Sequence, residues 1–133
     1  MILVDSSVWI DYFNGIDSSE SDFLDRALDT DAICLGDIIL AEVLQGFRKD
    51  ADFRNARELL TSLPVYHILT PELALISADN YRKLRKRGIT VRKSVDVWIA
   101  TFCIENKLPL LFRDRDFVPF VQHLKLTTPT QYT

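Results

Sequence analysis

The apolar positions of this chain fall into two alternating kinds of segment. Some are unbroken runs of four or five residues, and others recur at three- and four-residue spacing. Unbroken runs mark strands buried on both faces, whereas three-four spacing marks helices with one apolar face. Met1 to Asp5 predicts the first strand, after which Ser6 and Ser7 offer a cap for a helix over residues 8–13, ended by Asn14-Gly15. Residues 18–31 predict an acidic amphipathic helix with Phe23, Leu24, Ala27 and Leu28 on its apolar face. Residues 32–35 predict a second strand, and Gly36-Asp37 opens a helix that is apolar on nearly every side as far as Phe47. Phe53, Ala56, Leu60 and Leu63 mark the next helix, closed by Pro64, and residues 65–69 a third strand. Pro71 opens a longer helix with Ala74, Ala78, Tyr81 and Leu84 inward, ending at Gly88. Ser94 caps a buried helix to about Asn106, and residues 109–112 predict a fourth strand. A last short helix over residues 116–123 leads to a possible edge strand at residues 124–126.

Short apolar strands alternating with helices imply an α/β domain built on a short, mainly parallel sheet, here a single domain over residues 1–133. The apolar runs are too short for a membrane span, and the N-terminus lacks the basic and long apolar regions of a signal peptide, so a cytoplasmic location is expected. Cys34 and Cys103 lie in apolar stretches and read as buried free thiols. His67 and His123 are far from each other and from the cysteines, which leaves no zinc-type spacing.

The net charge of −3 conceals an asymmetry. Seven basic residues and no acidic one lie between Arg82 and Lys93, so the rest of the chain carries 9 basic against 19 acidic residues. Such a run serves equally as a solvated helix face or as a patch for phosphates. In the second reading Lys83, Lys86, Arg87, Arg92 and Lys93 are candidate nucleic-acid contacts.

Four acids adjoin apolar runs: Asp5 after residues 1–4, Glu42 within 38–44, Asp96 before 97–100, and Asp114 shortly after 110–112. Each has a structural explanation available. Asp5 could cap the first helix, Asp96 could favour a helix dipole, and Asp114 and Asp116 could belong to a charged turn. Glu42 fits none of these, because it falls mid-helix between Ala41 and Val43, and an unpaired buried carboxylate costs several kcal/mol. Asp5 and Asp114 each follow a strand directly, and ligands of parallel sheets bind beyond the carboxyl ends of the strands. Converging carboxylates repel one another unless a cation joins them. Oxygen-only ligands suit Mg²⁺ or Mn²⁺, and such an ion beside a basic run points to metal-assisted phosphodiester hydrolysis.

The opening residues 1–10, the Leu40-Ala41-Glu42-Val43 segment, residues 93–100 and Arg113-Asp114-Arg115-Asp116-Phe117 together resemble PIN-domain ribonucleases. Their order and the chain length most resemble the VapC toxins of prokaryotic type II toxin–antitoxin modules. This resemblance implies a three-layer α/β/α fold and a Mg²⁺- or Mn²⁺-dependent endoribonuclease. It implies an acidic site of Asp5, Glu42, Asp96 and Asp114, with Asp116 a frequent fifth member. Asp5, Asp96 and Asp114 are then the expected metal ligands, Glu42 orients water or a second ion, and Ser6 supplies a supporting hydroxyl. Phe112 departs from the polar residue that relatives often carry there. The family also implies an RNA substrate, tRNA or rRNA among the possibilities, a homodimer, and a VapB-type antitoxin whose C-terminal segment lies in a groove by the site. Trp9, Tyr12, Phe13, Leu44 and Phe47 could line such a groove, although core packing is the commoner job of such residues. The rival readings are a housekeeping RNA-processing nuclease and an inactive binding module; a P-loop enzyme is excluded by the lack of its glycine-rich motif.

Overall fold

The computed structural model describes residues 1–129. Its centre is a four-stranded parallel sheet in the order β3-β2-β1-β4, formed by β1 (Ile2–Val4), β2 (Ile33–Gly36), β3 (Val65–Tyr66) and β4 (Leu110–Leu111). The register pairs Ile2 with Ile33, Leu3 with Leu110, and Leu35 with Val65. Leu3, Val4, Cys34, Leu35, Leu110 and Leu111 have no exposed surface, as the unbroken apolar runs require.

Helices α1 (Ser6–Phe13) and α2 (Ser19–Ala27) connect β1 to β2, and α3 (Asp37–Gln45) and α4 (Asp50–Thr61) connect β2 to β3. Helices α5 (Pro71–Lys86) and α6 (Ser94–Glu105) cross back from β3 to β4, and α7 (Val118–His123) follows the 3₁₀ turn Arg115–Phe117. The first four helices pack together, whereas α5 packs against α6. Right-handed crossovers running in opposite directions along the sheet put these two groups on opposite faces. The result is a three-layer α/β/α sandwich.

Several boundaries differ from the pattern. The third strand is Val65–Tyr66 alone, and both residues are exposed at the sheet edge. The expected strand over residues 124–126 is not formed; Lys125 turns with φ 70°, and the Leu110 N–H reaches over to the Thr127 carbonyl, at 2.9 Å. The inward stripe of α5 is Leu73, Ser77, Asn80 and Leu84, while Ala74 and Ala78 are exposed. A pattern that counts alanine as apolar and asparagine as polar misjudges this face. Asn80 is buried because its side-chain N–H donates to Thr101 Oγ1 of α6 at 3.1 Å. Gly88, at φ 79°, ends α5 in a left-handed cap in which the Ile89 N–H bonds the Leu84 carbonyl at 3.0 Å.

Because all four strands run the same way, their carboxyl ends share one edge. Asp37 stands there but is used structurally: its Oδ1 accepts from the N–H groups of Ile38 and Ile68, at 2.8 and 3.1 Å, tying the end of β2 to the segment after β3. Gly36 lets that segment come close, since a Cβ at this position would meet Ile68 side-chain carbons at 2.6 Å.

Candidate active site

Asp5 leaves β1 and is the N-cap of α1, so the cap is neither Ser6 nor Ser7. Its Oδ2 accepts from the Ser7 hydroxyl at 2.7 Å and from the Ser7 N–H at 3.3 Å. The side chain is almost fully buried, which pushes its pKa up; the Ser7 bonds pull the other way, and Asp114 adds repulsion. Ser7 is thus the hydroxyl that supports Asp5, and it adds to Ser6, whose expected support for the site goes to Glu42. The Ser6 side chain favours the charged form of Glu42.

Asp96 lies in the first turn of α6, where the dipole favours a carboxylate. Ser94 is not the cap of this helix; Lys93 holds the N-cap position without a side-chain capping bond. Asp96 is 6% exposed and its Oδ2 has no hydrogen-bond partner. Burial, then repulsion from Asp5 and Asp114, raise its pKa to about 7, while Lys93 opposes the rise. Glu42, on α3, is half-buried with Oε1 orphaned. Burial comes first among the causes that raise its pKa, followed by the charge of Asp5.

Asp114 caps the 3₁₀ turn after β4, its Oδ1 accepting from the Asp116 N–H at 2.9 Å. Carboxylate oxygens of Asp96, Asp114 and Asp116 lie within 4.8 Å of one another. Asp116 thus joins Asp96 and Asp114 in this trio, and Asp5, the third expected ligand, interacts electrostatically with Asp96, Asp114 and Glu42. The orphaned Asp96 Oδ2 and the all-oxygen donor set of the trio suit a hard divalent cation, which would partner that oxygen and cancel the repulsion.

The structure divides the basic run. Arg92 donates to both oxygens of Asp116, at 3.0 and 3.3 Å, and Lys93 Nζ lies 3.9 Å from Asp114 Oδ2. These two serve as counter-charges to the acids. Lys83, Lys86 and Arg87 instead line a separate groove with His123 and Lys125. Phe112, at the position that departs from the family pattern, packs against Phe117 with the rings tilted by 46° and their centres 5.3 Å apart. Among the apolar candidates, Trp9 is fully buried, whereas Tyr12, Phe13 and Phe47 line a groove of about 640 Å³ beside α4.

The model of the PIN domain matches residues 2–119. This chain belongs to the PIN-domain family. Similar proteins include the VapC ribonuclease Mb1587 of Mycobacterium bovis and ribonuclease VapC11 of Mycobacterium tuberculosis. Each is 31% identical over 119 residues, covering 88% of this chain and 89% of the relative. Its fold is shared with VapBC2 from Rickettsia felis bound to a promoter DNA fragment (TM-score 0.75, 17% identity, 97% and 98% of the two chains). It is also shared with a toxin–antitoxin complex from Klebsiella pneumoniae (0.68, 22%, 88% and 90%) and with FitAcB from Neisseria gonorrhoeae (0.70, 18%, 96% and 96%). All five acids expected of the site, Asp5, Glu42, Asp96, Asp114 and Asp116, are present in the sequence. Ser7 and the counter-charge role of Arg92 and Lys93 are the features that sequence reasoning missed. A Ser two residues after a strand-end Asp was the available signal for the first.

Proposed function

We propose that this PIN domain is a metal-dependent endoribonuclease and the toxin of a VapBC-type pair, working in the cytoplasm as a homodimer. The observation that carries the reading is the trio of Asp96, Asp114 and Asp116, whose oxygens gather within 4.8 Å, with Asp96 Oδ2 left without a partner. The two mycobacterial relatives bearing the VapC ribonuclease name support the same activity.

Asp96, Asp114 and Asp116 would hold Mg²⁺ or Mn²⁺. When bound, the ion lowers the pKa of water and screens charge on the reacting phosphate. Asp5, fixed by Ser7, interacts electrostatically with Asp96 and Asp114, and Glu42, with its free Oε1, is placed to accept a proton from attacking water. Arg92 and Lys93 sit where they can pass from the acids to the incoming phosphodiester. Lys83, Lys86 and Arg87 would hold more distant phosphates.

The cognate antitoxin is proposed to occupy the groove lined by Tyr12, Phe13 and Phe47, whose aromatic walls suit the apolar side chains of a bound segment. The likeness to toxin–antitoxin complexes supports such a partner.

The test is cleavage of end-labelled total tRNA and rRNA by antitoxin-free protein in Mg²⁺, Mn²⁺ and EDTA, beside Asp5→Asn and Asp96→Asn proteins. Discrete metal-dependent cuts that vanish in both variants are expected. Cuts that persist in the variants would remove the acid site from the reaction.

A further inference from the structure

A second cleft opens where α5 packs against the first half of α6, and nothing in the acid site accounts for it. It encloses about 360 Å³, and Ser77, Tyr81, Arg82, Arg85, Ser94 and Trp98 supply its polar and aromatic lining. No acidic residue lines it, in a protein whose net charge is −3. The Ser77 hydroxyl is the feature that asks for a ligand: the residue is 2% exposed, the hydroxyl has no hydrogen-bond partner, and it borders this space. A buried hydroxyl without a partner carries a desolvation penalty that an incoming polar edge removes. The Arg85 guanidinium lies over the Tyr81 ring, 5.7 Å from its centre, so a flat cationic surface is already in position at the wall.

Two aromatic side chains, two guanidinium groups and an orphaned hydroxyl form the chemistry that receives a nucleobase. The rings give stacking area, and the arginines balance the flanking phosphates. Arginine presents donors alone. Guanine offers two adjacent acceptors, O6 and N7, a pair that uracil and adenine lack. The cleft also adjoins the acids, because Ser94 on its rim lies two residues from Asp96 and follows Lys93, which reaches Asp114.

We propose that this α5–α6 cleft is a base-binding subsite for a nucleotide next to the cleaved phosphodiester, with guanine its preferred occupant. The proposal rests on the ribonuclease reading and adds a source of sequence preference to it. The strand is held by metal and cations at its phosphates, and selected at one base by the cleft.

The experiment exploits the two tryptophans. Trp9 is fully buried, while Trp98 lies at the cleft, so ligand-dependent emission changes belong to Trp98. The Asp96→Asn protein in EDTA, which leaves RNA intact, is titrated with single-stranded RNA hexamers of uridine, with and without one guanosine. The guanosine hexamer is expected to quench emission and to bind about tenfold more tightly than the uridine hexamer. Trp98→Phe should abolish the quench, and Ser77→Ala and Arg85→Ala should each erase most of the guanine preference by fluorescence anisotropy, with unchanged melting temperatures.

A quench that survives in Trp98→Phe, or a guanine preference that survives in Arg85→Ala, would overturn the subsite. Emission that follows protein concentration without RNA would overturn it too, by showing the cleft covered by a second copy. Wild-type protein assayed in Mg²⁺ on total RNA separates the two readings. Cuts together with a silent Trp98 remove the subsite and leave the nuclease, whereas neither cuts nor binding removes both.

Discussion

Replacing Asp96 by Asn should make the metal-free protein more stable at pH 8, although the residue is buried at the centre of the site. Its carboxyl is 6% exposed, has an oxygen without a partner, and ionises at about 7 against an ordinary 3.8. At about 1.4 kcal/mol for each tenfold change in proton affinity, the ionised form costs the folded state about 4 kcal/mol above pH 7. The sign follows from the raised pKa. Between the two values the folded state binds more protons than the unfolded chain, so stability falls as pH rises from about 4 to about 7 and then levels off. Asn removes the charge and keeps the shape, but leaves a buried amide whose own unmet bonds cost about 1–3 kcal/mol. The net gain at pH 8 is therefore about 1–3 kcal/mol, or about 4–12 °C in Tm for a domain of this size. By pH 4.5 the carboxylate penalty shrinks to about 1 kcal/mol, so wild type and variant should melt together or the variant first. Differential scanning fluorimetry in EDTA at the two pH values reads this directly. In excess Mg²⁺ at pH 8 the order should reverse, because the ion stabilises the protein that binds it. An Asn variant less stable than wild type at pH 8 in EDTA, or a difference independent of pH, would refute the account of Asp96 as a strained, cation-seeking carboxylate.

Ser7→Ala removes the 2.7 Å hydroxyl bond to Asp5, the strongest influence holding that carboxyl's pKa down. It should weaken Mg²⁺ binding about tenfold by calorimetry, as expected when an outer-shell partner is lost, whereas Ser7→Thr should restore most of it. Arg92→Ala breaks an ion pair whose arginine is 76% exposed, so stability should change by less than about 0.5 kcal/mol; metal affinity should rise, since Asp116 loses its resident cation, and a fall in calorimetric affinity would contradict the counter-charge role. Lys83→Ala, Lys86→Ala and Arg87→Ala combined should weaken RNA binding and flatten its salt dependence by about 2 to 3 in log–log slope, while an unchanged slope would leave these residues as a solvated helix face. Gly36→Ala should cost about 1–3 kcal/mol in urea unfolding, because the new Cβ would sit 2.6 Å from Ile68 carbons.

The sequence by itself determined the order of elements and the parallel sheet. Short continuous apolar runs at β1, β2 and β4 fit strands covered on both faces, and the intervening three- and four-residue spacing fits helices. It also marked the candidate site acids, because a carboxylate beside a buried run, Glu42 above all, has few structural uses. What it could not supply was any relation across elements. Asp116 enters the tight trio through the 3₁₀ turn that Asp114 caps, and Arg92 and Lys93 turn toward the acids because they precede α6 at the same sheet edge. Lys83, Lys86 and Arg87, in the same basic run, lie on α5 and line a groove of their own. The inward face of α5 was misjudged for a related reason, since Asn80 is buried by a partner on α6 that no one-dimensional hydrophobicity pattern contains. Local chemistry sets which residues form a strand, a helix or a cap. Only packing decides which charges meet, because burial and partner distance are properties of the assembled layers and not of the neighbours along the chain.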